Sequence, residues 1–345
     1  MMILRFILIP LSILYSLIIF IRNVFYDKGI FKSYSVSIPV ISVGNISTGG
    51  TGKTPLVIFI SKYFLNKGKS VGIISRGYKR KSDDIEIVYD GKNLKSGIDH
   101  SGDELMMIYD ELVKDYAERF HIIASADRVA AAQIMTLKFF PDVIIMDDGF
   151  QHRRLKRDLD IVTVDANDFK NNKFMNSFTI PSGNLREGYS SISRADIIIQ
   201  NNKSGEIDTL PFLRESGKPV CKISYKTEFF MDFKNSILKE NNLNVIAFSG
   251  IANDESFIQM ILNYGHSIKE RINYPDHYDY TQSDINNLTS KYNEGITFIT
   301  TQKDFVKIKG FREFVERYPV FYLKLNAEFS ENKESLLSKL NLLMS

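Results

Sequence analysis

The sequence predicts an α/β fold built on a mostly parallel sheet, and two observations agree on it. From about residue 36, short β-branched apolar runs alternate with helix-like stretches, and a glycine-rich turn joins the first such run to the first helix. Apolar strands separated by helices are typical of a parallel sheet that is covered by helices on both faces. Ligands of such sheets bind beyond the carboxyl ends of the strands, so polar residues at those ends are candidate site residues.

The N-terminal apolar run covers residues 3–21, and Arg5 is its only charge. About 20 apolar residues span a bilayer as a helix, although Pro10 is expected to kink or break this one early. A signal peptide or a buried core helix would also be apolar, but no small-residue cleavage site follows the run. Basic residues directly after it favour a cytoplasmic body on an anionic membrane surface. We therefore predict a membrane-anchor helix within residues 1–28, which spans the bilayer or lies in its interface.

A glycine-rich segment lies between a predicted strand at residues 38–43 and a predicted helix at residues 56–65. A strand, such a turn and a helix that opens with Gly-Lys-Thr are typical of a phosphate-binding loop (P-loop), in which backbone N–H groups hold an anion. Lys53 would reach the β- and γ-phosphates, and the hydroxyl of Thr54 would bind Mg²⁺. The alternative is an ordinary βα turn. The candidate nucleotide-binding residues are Ser47, Thr48, Gly49, Gly50, Thr51, Gly52, Lys53 and Thr54, with Ser47 where the consensus has Gly.

The rest of the alternating pattern divides into two parts. Strands are predicted at residues 71–75, 121–125, 143–146, 161–164 and 197–200, and helices at residues 103–115 and 128–139. After a loop signal at residues 201–205, strands are predicted at residues 220–225, 229–233, 245–248, 296–300 and 320–323, and helices at residues 255–263 and 334–343. We therefore predict a P-loop NTPase-like domain over residues 29–225 and a smaller α/β lobe over residues 226–345, joined by a β linker.

Two carboxylates, Asp147 and Asp148, follow the predicted strand at residues 143–146. An enzyme with a phosphate-binding loop needs an acid at a neighbouring strand end to hold Mg²⁺ or its waters, so both are candidate metal ligands; solvated turn acids are the alternative. Asp103 opens a predicted helix, where it can cap the helix or accept a proton from a substrate hydroxyl. Glu104, beside it, is a further candidate metal ligand.

Basic side chains follow other predicted strand ends. Residues 152–157 form a dense basic cluster that could bind an anionic substrate or lipid headgroups, or could be a solvated loop. Arg76 ends another strand and could clamp a phosphoryl group or be solvated in the same way. Asp127 is expected to cap the helix that follows it. The candidate substrate-binding residues are Arg76, Gln151, His152, Arg153, Arg154 and Arg186.

Composition and missing motifs exclude several classes of function. A net charge of +3 does not indicate a nucleic-acid surface, and we expect no nucleic-acid partner. The single cysteine, Cys221, excludes an internal disulfide framework and a cysteine-rich zinc site. A GTPase would carry an Asn-Lys-x-Asp element, which residues 202–205 do not complete, so ATP is favoured over GTP.

Taken together, these motifs make the chain resemble the tetraacyldisaccharide 4'-kinase family, the lipid A kinases of Gram-negative bacteria. Departures from the family pattern are Asn184 in place of Pro, Gln302 in place of Glu and Tyr278 in place of a second His. The segments that carry the resemblance are residues 43–55, 75–78, 102–104, 127–131, 147–152, 181–187, 248–251, 276–277 and 301–304.

The resemblance implies transfer of the γ-phosphoryl group of ATP, with Mg²⁺, to the 4'-hydroxyl of an acylated glucosamine disaccharide 1-phosphate, giving lipid IVA. It implies two α/β/α lobes with the active site in the cleft, on the cytoplasmic face of the inner membrane. It also implies that Asp103 pairs with His277 to activate the hydroxyl. The local sequence around His277, a histidine in a loop, does not by itself indicate a functional role. Lys53, Asp147 and Asp148 would complete the catalytic set.

Two other functions compete with this interpretation. A nucleotide-dependent metal-insertion GTPase would share the loop and the sheet, but would need a complete guanine element and His or Cys metal ligands. A membrane-tethered nucleotide-binding scaffold would bind ATP without turnover that depends on an acceptor.

Overall fold

The structure is a computed structural model of the 345-residue chain, and it describes residues 2–77, 80, 84–203, 205–251 and 254–344. The chain forms two compact units. Unit 1 contains Met1–Ser101, Ile108–Ser224 and Phe329–Ser345, and unit 2 contains Gly102–Met107 and Tyr225–Glu328. The predicted lobe over residues 226–345 therefore extends too far, because the segment after residue 328 packs with unit 1.

The strands and helices are numbered in chain order. The strands are β1 Val40–Asn45, β2 Val71–Ser75, β3 Glu86–Tyr89, β4 Phe120–Ala124, β5 Val143–Asp147, β6 Leu159–Asp165, β7 Ile197–Asn201, β8 Val220–Asp232, β9 Asn244–Ser249, β10 Ser267–Asn273, β11 Ile296–Thr301 and β12 Val320–Glu331. The α-helices are α1 Met2–Ile7, α2 Ile9–Asp27, α3 Lys53–Asn66, α4 Ile98–Ser101, α5 Asp103–Tyr116, α6 Arg128–Ile134, α7 Ala166–Asn171, α8 Pro211–Glu215, α9 Glu255–Asn263, α10 Gln282–Ser290, α11 Gln302–Ile308, α12 Arg312–Arg317 and α13 Lys333–Leu342.

In unit 1 the strands lie in the order β8–β7–β6–β1–β5–β2–β4–β3. The pairs are parallel except at the edge, where β3 runs antiparallel to β4. In the register of β1 with β5, Val43 lies opposite Asp147. The mostly parallel sheet predicted from the sequence is therefore confirmed, and its carboxyl edge brings the end of β1 next to the end of β5.

In unit 2 the strands β10, β9, β11 and β12 lie side by side in that order, and all three pairs are parallel. Aromatic side chains dominate one side of this core, where Phe248, Phe298 and Phe314 are almost fully buried. Burying each of these rings contributes about 2–3 kcal/mol relative to leaving it exposed. Unit 2 therefore has a hydrophobic core of its own.

The predicted apolar N-terminal run forms two helices that are separated at Leu8. Pro10 lies in the first turn of α2, where a proline removes no helical hydrogen bond, so it ends α1 and allows α2 to start. Among the described residues, α2 is 19 residues long and passes the length and composition test for crossing a membrane, which some core helices and signal sequences also pass. Ile13, Phe20 and other large apolar side chains of α2 are more than half exposed.

One side of α2 docks on the polar segment 179–187 of unit 1. Ser12 is buried, and its hydroxyl accepts a hydrogen bond from Ser182 N at 2.8 Å. Ser16 and Thr179 join their hydroxyls at 2.8 Å. Near the end of the helix, Arg22 lies 3.1 Å from a carboxylate oxygen of Glu187. The helix is therefore fixed to unit 1 on this polar side and leaves apolar side chains exposed elsewhere.

Several elements differ from the sequence prediction. The helix expected at residues 128–139 is α-helical only to Ile134 and continues as a π-helical segment, Met135–Phe139. The two short strands expected at residues 220–233 are one strand, β8. The edge strands β3 and β10 are not among the predicted strands. In β10, three consecutive charged residues lie between Ile268 and Ile272, so the segment lacks the apolar run of the buried strands.

Helix α13 should stabilise unit 1, since Leu336 and Leu340 are fully buried and Asn341 accepts a hydrogen bond from Tyr63 at 2.6 Å. Leu340→Ala is expected to lower the free energy of unfolding by about 2–5 kcal/mol. Leu342→Ala is the matched control, because that side chain is 71% exposed and its loss should change stability by less than about 0.5 kcal/mol. Urea denaturation of the detergent-solubilised protein measures both, and equal effects would contradict the packing described here.

Candidate active site

The predicted phosphate-binding loop connects β1 to α3. Gly49 and Gly52 adopt left-handed backbone angles, with φ of 98° and 87°. Among the described residues, no heavy atom lies within 4 Å of a Cβ built on Gly49 or Gly50, so this side of the loop is open. Within the same residues no side chain caps the N-terminus of α3. An open loop at an uncapped helix start is suited to bind a phosphate group.

Polar contacts hold the loop against the strand ends of unit 1. Thr51 is buried, and its hydroxyl lies 2.7 Å from the hydroxyl of Thr163 at the end of β6. Asn201, at the end of β7, donates to Thr51 O at 3.2 Å. Lys203 donates to Gly50 O at 2.6 Å. The sequence did not indicate Lys203 as a contact of this loop, because its segment shows only a loop signal and an incomplete guanine element; Ser204 lies outside the described residues.

The first two predicted loop residues anchor the loop. Ser47 is buried and pairs with Leu185 through a short antiparallel bridge. Thr48 donates its backbone N–H to Asn184 O at 2.7 Å and its hydroxyl to the same oxygen at 3.2 Å. Segment 179–187, on which α2 docks, therefore also holds the start of the loop. A direct contact of these two residues with nucleotide stays a prediction.

The two predicted metal acids have different environments. Asp147 is fully buried at the end of β5, where Oδ2 accepts from Ser75 at 3.1 Å and Oδ1 has no hydrogen-bond partner among the described residues. Burial, followed by repulsion from Asp148, raises the pKa of Asp147. Burial would also raise the pKa of Asp148, but Lys53 and Arg186 outweigh it and lower that pKa.

Asp148 is the centre of an ion-pair cluster. Arg186 Nη1 lies 2.8 and 2.9 Å from its two carboxylate oxygens, and Lys53 Nζ lies 3.5 Å from Oδ1. Asp148 has a φ of 50°, an uncommon backbone angle for a residue with a side chain, which surrounding contacts must maintain. The loop lysine, the acid pair and Arg186 are thus brought together within unit 1, as a phosphate and metal site would need.

The donor set at this edge fits Mg²⁺. Carboxylate oxygens of Asp147 and Asp148, with the Thr54 hydroxyl at the start of α3, are the hard oxygen ligands that Mg²⁺ prefers. The unpartnered buried oxygen of Asp147 is the observation that favours a cation there. Glu104 belongs to unit 2, and its assignment as a metal ligand stays a prediction.

Arg128 is a buried cation of this region that sequence reasoning did not select. It is 5% exposed and donates to Ser125 O at 2.9 Å. Burial lowers its pKa to about 10, although the charges of Asp148 and Asp147 oppose that shift. The only signal in the sequence was its position next to Asp127, which caps α6 as predicted by accepting the N–H groups of Val129 and Ala130.

The predicted basic cluster does not form one surface. Arg153 donates to Asn23 O at 2.9 Å and pairs with Asp27 at 2.6 Å, so it holds the end of α2. Arg154 is half exposed and lies 3.7 Å from Asp127. The pKa of His152 is lowered to about 4, mainly by burial and then by the charge of Arg128.

Two other predicted substrate residues have separate positions. Gln151 donates to Asn45 O at 2.9 Å, beside the phosphate-binding loop. Arg76 is exposed directly after β2, and the neighbouring Tyr78 lies outside the described residues. Substrate contacts of these residues, and of Arg153, stay predictions.

In unit 2, Asp103 and His277 form the pair that the resemblance implied. His277 Nδ1 lies 2.8 Å from Asp103 Oδ2, and Asp103 is 4% exposed. Lys307 and Lys303 approach the same oxygen at 3.4 and 3.9 Å. Burial would raise the pKa of Asp103, but the hydrogen bond from His277 and the charges of these lysines lower it to about 2. Asp103 is therefore a carboxylate ready to accept a hydrogen bond.

A buried contact fixes the turn that carries His277. His277 has a φ of 58°, and its N–H donates to Gly250 O at 3.0 Å. Gly250 N in turn donates to the buried carboxylate of Asp304 at 3.0 Å. A Cβ at Gly250 would lie 3.0 Å from that carboxylate and 3.1 Å from the Cβ of Tyr278. A side chain at position 250 would force these neighbours to shift by a few tenths of an ångström, so the close approach favours glycine in the contact that positions His277.

A family model described as tetraacyldisaccharide-1-P 4'-kinase (LpxK) matches residues 4–342. The chain belongs to this family.

Two bacterial members of the tetraacyldisaccharide 4'-kinase family align with almost the whole chain. The enzyme of Aquifex aeolicus is 38% identical over 342 residues, which are 98% of each chain. The enzyme of Chlorobaculum parvum is 35% identical, with 97% of this chain and 94% of its own covered. A crystal structure of LpxK from Aquifex aeolicus in complex with ATP superposes with a TM-score of 0.79 at 35% identity, covering 99% of this chain and 100% of its own. The fold described above is thus the fold of this kinase family.

The two adjacent acids of this kinase should respond oppositely to isosteric neutralisation. Asp147→Asn removes a fully buried charge whose Oδ1 has no hydrogen-bond partner among the described residues, so it should raise the free energy of unfolding of the ligand-free protein by about 1 kcal/mol. Asp148→Asn breaks the ion pairs with Arg186 and Lys53 and should lower the free energy of unfolding by about 1–2 kcal/mol. Thermal unfolding without nucleotide and Mg²⁺ measures both.

The pH dependence gives an internal control for this comparison. The raised pKa of Asp147 means that the fold gains stability as the pH falls through it, whereas the lowered pKa of Asp148 means that stability is lost as the pH falls through that value. Asp147→Asn should lack the gain in stability at low pH, and Asp148→Asn should lack the loss. Shifts of the same sign in both variants would contradict the assigned environments.

Proposed function

We propose that the protein is an ATP-dependent kinase that transfers the γ-phosphoryl group to the 4'-hydroxyl of tetraacyldisaccharide 1-phosphate, forming lipid IVA in lipid A biosynthesis. The observation that carries the proposal is the meeting of a phosphate-binding loop with the acid pair Asp147 and Asp148 at adjacent strand ends, in a chain that belongs to this kinase family from residue 4 to residue 342. Phosphoryl transfer depends mostly on positioning and charge neutralisation, and this arrangement supplies both.

Unit 1 supplies the groups for the phosphate donor. Backbone N–H groups of the loop and the start of α3 hold the phosphates of ATP, and Lys53 supplies charge next to them. Thr54, Asp147 and Asp148 hold Mg²⁺, which supplies positive charge against the phosphate oxygens when bound. Arg186 keeps Asp148 in place through its two-oxygen contact and shares that carboxylate with the loop lysine, Lys53.

Unit 2 supplies the group for the acceptor. The carboxylate of Asp103 accepts a hydrogen bond from the 4'-hydroxyl, and His277 orients this carboxylate through the contact at 2.8 Å. With a pKa of about 2, Asp103 is a weak base, so its contribution is orientation of the hydroxyl more than removal of its proton in the ground state. Arg76, Gln151 and His152 remain candidates for binding the sugar phosphate.

The N-terminal helices support a membrane setting for this reaction. The substrate is an acylated lipid, so its chains can stay in a bilayer while its sugars reach the protein. The exposed apolar side chains of α2 and the basic residues that follow it suit an anionic membrane surface. We infer that the protein acts at the inner membrane of a Gram-negative bacterium, with its catalytic body on the cytoplasmic face.

The direct test uses ATP labelled at the γ-phosphate. The detergent-solubilised protein is incubated with labelled ATP, Mg²⁺ and tetraacyldisaccharide 1-phosphate, and the lipids are separated by charge. A labelled bisphosphate lipid is the expected product. A folded preparation that binds ATP and yields no such lipid would overturn the proposal and favour a nucleotide-binding scaffold.

Asp103→Ala should lower kcat by about 10²–10⁴-fold, the usual contribution of a positioned base, while the Kd for ATP stays within about twofold. The matched control is Asp115→Ala, since Asp115 is an exposed residue of the same helix, α5. Turnover assays and equilibrium ATP binding measure the two effects. A collapse of ATP binding in Asp103→Ala would instead assign Asp103 to helix capping or metal binding.

A further inference from the structure

Each ring nitrogen of His277 contacts a charged side chain in unit 2. Nδ1 lies 2.8 Å from Asp103 Oδ2, and Nε2 lies 3.0 Å from Lys303 Nζ. The His277 side chain is 12% exposed, so water competes little for these contacts. The proposed hydroxyl-activating pair is therefore part of a chain of three groups that ends at Lys303.

The chemistry of these groups determines where the ring proton lies. A neutral imidazole has one nitrogen that donates and one that accepts, whereas an ammonium group can only donate. Lys303 must therefore donate to Nε2, and Nε2 must accept. The single ring proton is then on Nδ1, from which it is donated to the carboxylate of Asp103.

We propose that Lys303 is a positioning residue for this kinase, which fixes His277 in the tautomer that carries its proton on Nδ1. In the other tautomer, the lone pair of Nδ1 would face the carboxylate of Asp103 and the N–H of Nε2 would face the ammonium of Lys303. Both contacts would become repulsive. The proposed function supplies the catalytic meaning of this inference, but the tautomer itself is a property of the protein without substrates.

Lys303 is held in place for this task. It lies in the first turn of α11, where Thr301 caps the helix by accepting Asp304 N at 3.1 Å. Its ammonium also lies 3.3 Å from Asp276 Oδ1, a carboxylate oxygen of the residue before His277. The position of Lys303 is thus set by the same β11–α11 corner that fixes the His277 turn through Asp304.

Lys307 lies one helical turn after Lys303 and provides a natural comparison. Its ammonium is 3.4 Å from Asp103 Oδ2 and donates to Tyr278 O at 2.9 Å. Nε2 of His277 contacts Lys303 at 3.0 Å, and Asp276 Oδ2 lies farther away at 3.9 Å. Lys307 adds positive charge near the carboxylate of Asp103 without this contact to the ring. Substituting Lys307 therefore tests the effect of charge alone on the position of the His277 ring proton.

The test is the nitrogen NMR spectrum of the histidine rings. The detergent-solubilised protein is labelled with ¹⁵N-histidine, and the signals of His277 are identified by their loss in His277→Gln. The chain has five histidines, so the assignment is tractable. We expect a protonated Nδ1 and an unprotonated Nε2 at neutral pH. A protonated Nε2 in the unmodified protein would overturn the inference without the need for any variant.

Variants then assign the effect to Lys303. Lys303→Met should convert His277 to a mixture of tautomers or to the Nε2-protonated form, and Lys303→Arg, which keeps the donor, should restore the Nδ1-protonated form. Lys307→Met should keep the Nδ1-protonated form. An unchanged His277 spectrum in Lys303→Met, or the same change in Lys307→Met, would overturn the inference.

Kinetics link the tautomer to the proposed reaction. Lys303→Met should lower kcat about 10- to 100-fold, part of the contribution of a positioned base, with the KM for ATP within about twofold. A Nδ1-protonated ring in a protein that never phosphorylates the disaccharide would reject the proposed function alone. A Nε2-protonated ring in an active kinase would reject the role of Lys303 alone.

Discussion

Two adjacent carboxylates end the buried strand β5, and their charge has to be compensated within unit 1. Asp148 is compensated by Lys53 and Arg186, while Asp147 keeps an oxygen without a partner among the described residues. The cost of burying that charge is the reason to expect a cation there, since a buried carboxylate that is neither paired nor metal-bound is strongly unfavourable. The phosphate-binding loop, the acid pair and the arginine are therefore one electrostatic system, and a change in any of them alters the charge balance of the others.

Arg186 connects this system to the N-terminal helices. The next residue, Glu187, is fully buried and accepts hydrogen bonds from Arg22 at 3.1 Å, Asn23 at 3.0 Å and Arg194 at 2.7 Å. The hydroxyl of Tyr15 also donates to the backbone oxygen of Arg186 at 3.3 Å. Helix α2 therefore contacts segment 179–187, which also carries Arg186, the partner of Asp148. The helix is thus linked to the candidate nucleotide site.

The sequence predicted the elements whose residues are contiguous in the chain. The strand, the glycine-rich turn and the opening of α3 were evident because they are contiguous, and so was the end of β5. The roles of Arg128, Lys203 and Lys303 were not evident, because each depends on a partner far away in sequence. Asp103 and His277 are 174 residues apart in sequence. Their pairing was predicted from the resemblance to a family and not from the local sequence. The Gly250 contact with Asp304 likewise depends on two strand ends meeting, which no local pattern reveals.

The division of the chain into units has a consequence for the order in which it folds during synthesis. All the segments of unit 2 have been made once residue 328 is added, whereas unit 1 still lacks β12's last residues and α13. Phe329 packs on Phe59 with ring centroids 4.9 Å apart, and Leu336 and Leu340 are fully buried, so these late residues belong to the unit 1 core. Domains made first usually fold first on the ribosome. In this chain, the inserted unit can be complete while the unit that begins the chain is not, because helix α13 of unit 1 is translated about 280 residues after the phosphate-binding loop.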